Sequence, residues 1–180
     1  MVKKLRKGDI VLVHGDGFYN KVVRFFTQSK WGHVVMVIDE GHYIESNNKG
    51  VVVRPIQTLL EYTCIVRRYY KITPLLERML VNEALRYEGK PYDFFAILQL
   101  LILLALGRRH TSEYTGDKNK YICSELAAKP YYAFGMNVKD NIVYDNIIPD
   151  DFATSDSFYT VGELHNIIDY AKDEDTSKTN

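Results

Sequence analysis

Only two cysteines, Cys64 and Cys123, occur in the chain. Two are too few for a disulfide scaffold at this length, and their spacing fits no zinc pattern. Free thiols in a reducing compartment are therefore expected. Neither sign of charge is in excess, since Lys+Arg and Asp+Glu each number 23. That balance argues against a nucleic-acid partner, which needs a basic surplus on one face. The short basic stretch Lys3, Lys4, Arg6, Lys7 reads as a solvated N-terminus. Long hydrophobic runs are missing too. The most apolar stretch, residues 94–106, is broken by Gln99 and falls short of the roughly twenty residues needed to span a bilayer. No charged-then-apolar leader precedes a small-residue cleavage site, so a cytoplasmic location is expected.

Hydrophobic residues make up 46 % of the chain, enough for a real core. The length suits one domain over residues 1–171, followed by a polar tail over 172–180 expected to be disordered. Residues 10–14, 33–38, 42–46, 51–55 and 64–70 are short, β-rich runs separated by turn signals. With such short connections they predict an antiparallel meander. A helix is expected over residues 20–27, with Asn20 as its N-cap. A second follows from Pro74, with an apolar spacing near 3.6. A third is capped by Asp93 and runs to about residue 106, a buried or interface-lying helix. A fourth spans 123–134 and ends at Gly135. Residues 107–120 read as an exposed polar loop, and 158–161 as a closing strand.

A catalytic cysteine works as a thiolate, so its surroundings must favour negative charge. Cys123 opens the helix-forming run Ser124-Glu125-Leu126-Ala127-Ala128, where unpaired backbone N–H groups and the positive end of the helix dipole act on it. The same N–H groups suit an oxyanion. Position alone fits a small packing residue equally well. His33 opens a strand after Trp31-Gly32, a place that a satisfied core histidine also occupies. Its hairpin neighbour adds chemistry. If Asp39-Glu40-Gly41 forms a three-residue loop with Gly41 left-handed, Ile38 pairs with His42. Glu45 then faces Val35, one diagonal step from His33 on the same face. A four-residue loop would separate the two. The carboxylate, so placed, would fix the imidazole tautomer and stabilise its cation. Cys64 reads as packing, and His42, His110 and His165 as solvent-facing. His14 closes the first strand without an evident partner.

Several segments together resemble the circularly permuted NlpC-type papain-like hydrolases, in the branch typified by the YiiX and YaeF proteins. These are Gly8-Asp9-Ile10-Val11-Leu12, Trp31-Gly32-His33-Val34-Val35-Met36-Val37-Ile38 and Tyr43-Ile44-Glu45-Ser46, then Gly89-Lys90-Pro91-Tyr92-Asp93, Tyr121-Ile122-Cys123-Ser124-Glu125-Leu126 and Ile148-Pro149-Asp150-Asp151-Phe152. The resemblance implies an α+β fold, a small antiparallel sheet or half-barrel packed against helices, with the histidine preceding the cysteine. It implies Cys123 as nucleophile, His33 as general base and Glu45 as the residue orienting it. Trp31, Tyr121 and Ser124 are then expected to meet substrate. No metal or cofactor is implied. The implied activity is hydrolysis of an amide or ester in a peptide or small molecule, cell-wall peptides included. A lipid acyltransferase or hydrolase of the lecithin:retinol acyltransferase type is the alternative, favoured by the apolar 94–106 helix, which suits a membrane surface. A non-catalytic binding module on the same fold is the other.

Overall fold

A computed structural model of the chain describes residues 4–108 and 119–169. The expected disordered tail, most of the 107–120 loop, and His110 lie outside the described residues.

The β-branched runs fold as six strands: β1 (Ile10–His14), β2 (His33–Val37), β3 (His42–Asn47), β4 (Gly50–Pro55), β5 (Thr63–Tyr69) and β6 (Phe158–Glu163). They form one antiparallel sheet in the order β4-β3-β2-β1-β5-β6. The first four make the expected meander. The fifth departs from it, because β5 pairs with β1 rather than β4 (Val11↔Val66, Val13↔Cys64). A 3₁₀ turn over Ile56–Leu59 carries the chain back, burying Ile56 and Leu59 against one face. That return makes β1 central, which is why Ile10, Val11 and Leu12 are all fully buried.

Both faces of the sheet are covered, so its inner strands read as continuous apolar runs rather than alternating ones. Ile10, Leu12, Val34, Met36 and Ile44 pack beneath helix residues Leu126, Ala127 and Tyr131. Val11, Val13, Val35, Val37 and Tyr43 pack with Ile56, Leu59 and Leu164 on the other side. Asp9, fully buried, is gripped by Arg68 at 2.7 and 2.8 Å. Arg67 donates to the carbonyls of Phe152, Ser155 and Phe158, tying the late segments to β5.

The helices α1 (Phe18–Thr27), α2 (Pro74–Leu85), α3 (Phe94–Ala105), α4 (Cys123–Ala133) and α5 (Pro149–Thr154) complete the fold, with a further helical stretch over residues 164–169. α1 begins earlier than its sequence suggests, after Gly17, and Asn20 lies inside it rather than capping it. Thr73 caps α2, with Pro74 at its first turn, where a missing N–H costs least. The Asp93 carboxylate accepts from Ala96 N at 2.8 Å and so caps α3 as expected. At the end of α4, Gly135 (φ 74°) donates to Tyr132 O and Met136 to Tyr131 O, a Schellman closure. The Pro149 segment, which reads as a turn, is the first turn of α5, where the Asp151 carboxylate accepts from Ile148 N at 2.8 Å.

Candidate functional site

The β2–β3 hairpin pairs Met36 with Ile44 and Val37 with Tyr43. Continued by one residue, this register sets Glu45 opposite Val35 and on the face of His33. The loop differs from expectation in how it is held. Gly41 is not left-handed; instead the Asp39 carboxylate accepts from Gly41 N at 2.8 Å. The result for the side chains is the same. His33 Nε2 lies 2.6 Å from Glu45 Oε2, with both side chains largely enclosed.

Glu45 has two further partners that sequence reasoning missed. Its Oε1 accepts from Asn47 Nδ2 at 2.8 Å and Arg54 Nη1 at 3.3 Å. Both follow from a two-residue turn at Asn48-Lys49, which pairs Asn47 with Gly50 and Glu45 with Val52. Arg54 then falls on the diagonal neighbour of Glu45 on the same face. Recognising that turn would have found it. Burial alone would raise the Glu45 pKa, but His33, Asn47 and Arg54 together hold it below its ordinary value. The carboxylate is therefore ionised and fully engaged.

Cys123 arrives from the far side of the sequence. Tyr121 bridges Tyr92 as a short parallel strand, donating to Pro91 O and accepting from Asp93 N. Ser46 of β3 donates to the same Tyr121 carbonyl at 2.6 Å. The run 89–93 is in turn bonded to the edge of β4, where Val51 N donates to Lys90 O at 2.8 Å. Gly50 is required there: its φ is 100° and a Cβ would sit 2.5 Å from Lys90 O. The Gly89–Asp93 motif is thus a strap holding the entry to α4 against β3 and β4.

Cys123 is the first residue of α4, and the preceding Ile122, extended, offers no side-chain cap. The first N–H groups of the helix therefore have no capping side chain to satisfy them. On the sheet side, Cys123 acts on His33. Burial would lower the His33 pKa, but Cys123, by charge and hydrogen bonding, and then Glu45 overcome it and hold the imidazole up at about 10. Cys64 contrasts with this. Burial pushes its thiol up to about 12, and its Sγ–H donates to Leu59 O.

Two spaces flank this pair. An open cavity of about 400 Å³ reaches His33 and Glu45. A narrow apolar crevice between α1 and α3, lined by Val23, Ile97, Leu100, Leu104 and Ile122, reaches Cys123 and Ser124. Trp31 and Tyr121 are enclosed in the core, at 6 % and 3 % exposure, and line neither space. The outer side of α3 leaves Phe94, Phe95, Leu98 and Ile102 half or more exposed. No helix among the described residues is long and apolar enough to cross a membrane.

The other histidines take separate places. His14 meets Lys30 O and Arg24, and His42 meets Asp39. His165 is exposed on a helical turn over residues 164–169.

No protein-family model matches the chain, and no curated protein matches it. Among solved structures it is similar to the crystal structure of metalloprotein yiiX from Escherichia coli O157:H7, DUF1105. That likeness has a TM-score of 0.68 at 19 % identity, covering 89 % of this chain and 98 % of the other. Among the described residues no group of three or more His, Cys, Asp or Glu is placed to hold a metal ion. At that identity the comparison speaks to architecture: this chain shares the yiiX fold.

Proposed function

We propose that the chain is a cysteine hydrolase on a circularly permuted papain-like fold, cleaving an amide or ester through Cys123, His33 and Glu45. The observation that carries the reading is His33 held by Glu45 on one nitrogen while Cys123 acts on the ring. A histidine oriented by a buried carboxylate and facing a helix-start cysteine is the arrangement that nucleophilic acyl transfer needs.

In the forward half-reaction the Cys123 thiolate attacks the carbonyl carbon, and the carbonyl π electrons move to oxygen. The first N–H groups of α4 are suited to that oxyanion. Collapse expels the leaving nitrogen or oxygen, which takes the proton from imidazolium His33. Neutral His33 then removes a proton from water. The resulting hydroxide attacks the thioester, and the thiolate departs as His33 keeps that proton. Glu45 accepts from Nε2–H throughout and never gains a proton. Ser124 would meet the acyl portion in the crevice, while Trp31 and Tyr121 support the site from behind. Peptides, cell-wall peptides among them, and amide-linked small molecules are the substrates this reading favours.

The apolar crevice at Cys123 and the exposed apolar side of α3 favour a second reading, hydrolysis or transfer of a lipid acyl chain. Liposome flotation separates the two, comparing the parent with a Phe95→Ser, Leu98→Ser, Ile102→Ser variant. Binding by the parent that the variant loses supports the lipid substrate, and absence of binding by the parent removes it.

Limiting iodoacetamide, mapped by mass spectrometry between about pH 5 and pH 9, tests the main reading. Selective alkylation of Cys123 below about pH 7.5, under the range of a free thiol, and its loss in His33→Ala are expected. Equal, slow labelling of Cys64 and Cys123, indifferent to His33, would leave a binding module.

A further inference from the structure

The turn that closes the β3–β4 hairpin is linked to His33 by hydrogen bonds. Asn47 stands two residues after Glu45 on β3, so both side chains leave the same face of the sheet. Lys49 N donates to Asn47 Oδ1 at 2.8 Å, a bond that only the amide oxygen can accept. The amide nitrogen is therefore turned the other way, and Nδ2 donates to Glu45 Oε1 at 2.8 Å. An Asx turn needs only the side-chain oxygen, so the bond from Nδ2 serves Glu45 and not the turn. Glu45 Oε2 then accepts from His33 Nε2 at 2.6 Å. A continuous run of bonds, each with its direction set by the one before, leads from a backbone N–H to the imidazole.

Arg54 meets the same oxygen of Glu45 in a different way. Its contact is longer, at 3.3 Å, and its side chain is 46 % exposed, so water screens the charge and the contact fixes geometry poorly. Arg54 supplies charge; Asn47, with a shorter bond and an anchor on the backbone, supplies direction. Ser46, between Glu45 and Asn47, donates to the Tyr121 carbonyl at 2.6 Å, two residues ahead of Cys123. One end of β3 thus holds both halves of the site. We propose that Asn47 is a positioning residue of the hydrolase: it fixes the rotation of the Glu45 carboxylate, so that Oε2 faces His33 and the imidazole is presented to Cys123 in one orientation. This rests on the hydrolase reading above and adds a residue to it. Asn47 acts through Glu45 and takes no part in bond making.

Asn47→Asp tests this in the whole chain. Aspartate keeps the shape and the bond from Lys49 N, but once ionised it sets a second carboxylate oxygen against Glu45 Oε1 in place of a donor. Protonated, it donates there as asparagine does. Alkylation of Cys123 by limiting iodoacetamide, in which the thiolate displaces iodide, is followed from about pH 5 to about pH 8 in the parent, Asn47→Asp and Asn47→Ala. At about pH 7 both variants should react at least about fivefold more slowly than the parent, because a bond to a charged group is lost. The deficit in Asn47→Asp should shrink toward about pH 5, where the new carboxyl takes up a proton, whereas that in Asn47→Ala should hold across the range. The His33 Nε2–H proton, followed by NMR, should exchange with water faster in both variants. A parent whose Cys123 labels no faster than Cys64 would sink the hydrolase itself. A reactive parent matched within about twofold by both folded variants, with equal Nε2–H exchange, would overturn the positioning role alone. So would a lower thermal midpoint with the pH profile and that exchange unmoved, since Asn47 would then serve only the turn. If Asn47→Asp fails to fold, Asn47→Ala decides by the same rate and exchange measurements.

Discussion

Replacing Glu45 with glutamine keeps the side chain's size and removes its charge, so it isolates what the carboxylate does to His33. Three donors converge on Glu45, and its 5 % exposure leaves little room for water to substitute. A glutamine can present its oxygen to His33 Nε2 only by turning its NH₂ toward Asn47 and Arg54, where donors meet donors. A hydrogen bond to a charged group is worth about 1.5–3 kcal/mol. One pKa unit corresponds to about 1.4 kcal/mol, so the imidazolium in Glu45→Gln becomes easier to deprotonate by one to two such steps. The sign follows for the thiol. A less stable imidazolium supports the Cys123 thiolate less. Alkylation of Cys123 at pH 6 should therefore slow about tenfold or more, with the rate recovering as pH rises. Iodoacetamide kinetics across pH, mapped to Cys123, measure this directly, with circular dichroism confirming that the variant is folded. A folded Glu45→Gln whose pH profile overlays the parent's would refute the reasoning, because the buried carboxylate would then do nothing for the imidazole.

Three further outcomes are expected. In Cys123→Ala the His33 pKa should drop steeply from about 10, because burial lowers it and the group that raises it most is gone; nitrogen chemical shifts of the ring across pH read the change. Glu125, at the first turn of α4, has its pKa raised to about 8 by burial and then by neighbouring Asp145. The folded chain keeps that proton over a range where the unfolded chain, titrating near 4.5, has lost it. Stability should accordingly fall as pH climbs from about 4.5 to about 8; urea midpoints across that range should flatten in Glu125→Gln. Gly32→Ala would set a Cβ 2.7 Å from Asn20 O of α1. Overpacking of this kind costs about 1–3 kcal/mol, so thermal unfolding should shift down by several degrees; an unchanged midpoint would mean that α1 moves freely away from β2.

Parts whose physics is local were legible in the residues alone. The β-branched stretch at 33–37 is a strand in any context that buries it, and Thr73-Pro74, Asp93 and Gly135 mark helix ends through bonds that reach only a few residues. The His33–Glu45 pair was legible only in part, because a three-residue loop puts the two on one face and a four-residue loop separates them. Met36↔Ile44 with Val37↔Tyr43 is the register found, the one that matches the shorter loop. Arg54 was within reach of the same counting, once the turn at Asn48-Lys49 is seen to hold two residues. Tertiary structure decided the rest. Nothing local tells β5 to pair with β1 instead of β4; that choice comes from burying the central strand on both sides. Nor does the helix-start chemistry of Cys123 say which histidine it will meet. That meeting depends on Ser46 holding the Tyr121 carbonyl and on the 89–93 strap bonded to β4, contacts between segments whose sequence separation hides them. Whether the apolar α3 is core, lid or surface was likewise undecidable from its composition, because a helix apolar all round has no pattern to orient it. Packing settled it by burying Ala96 and Leu100 while leaving Phe95, Leu98 and Ile102 in the open.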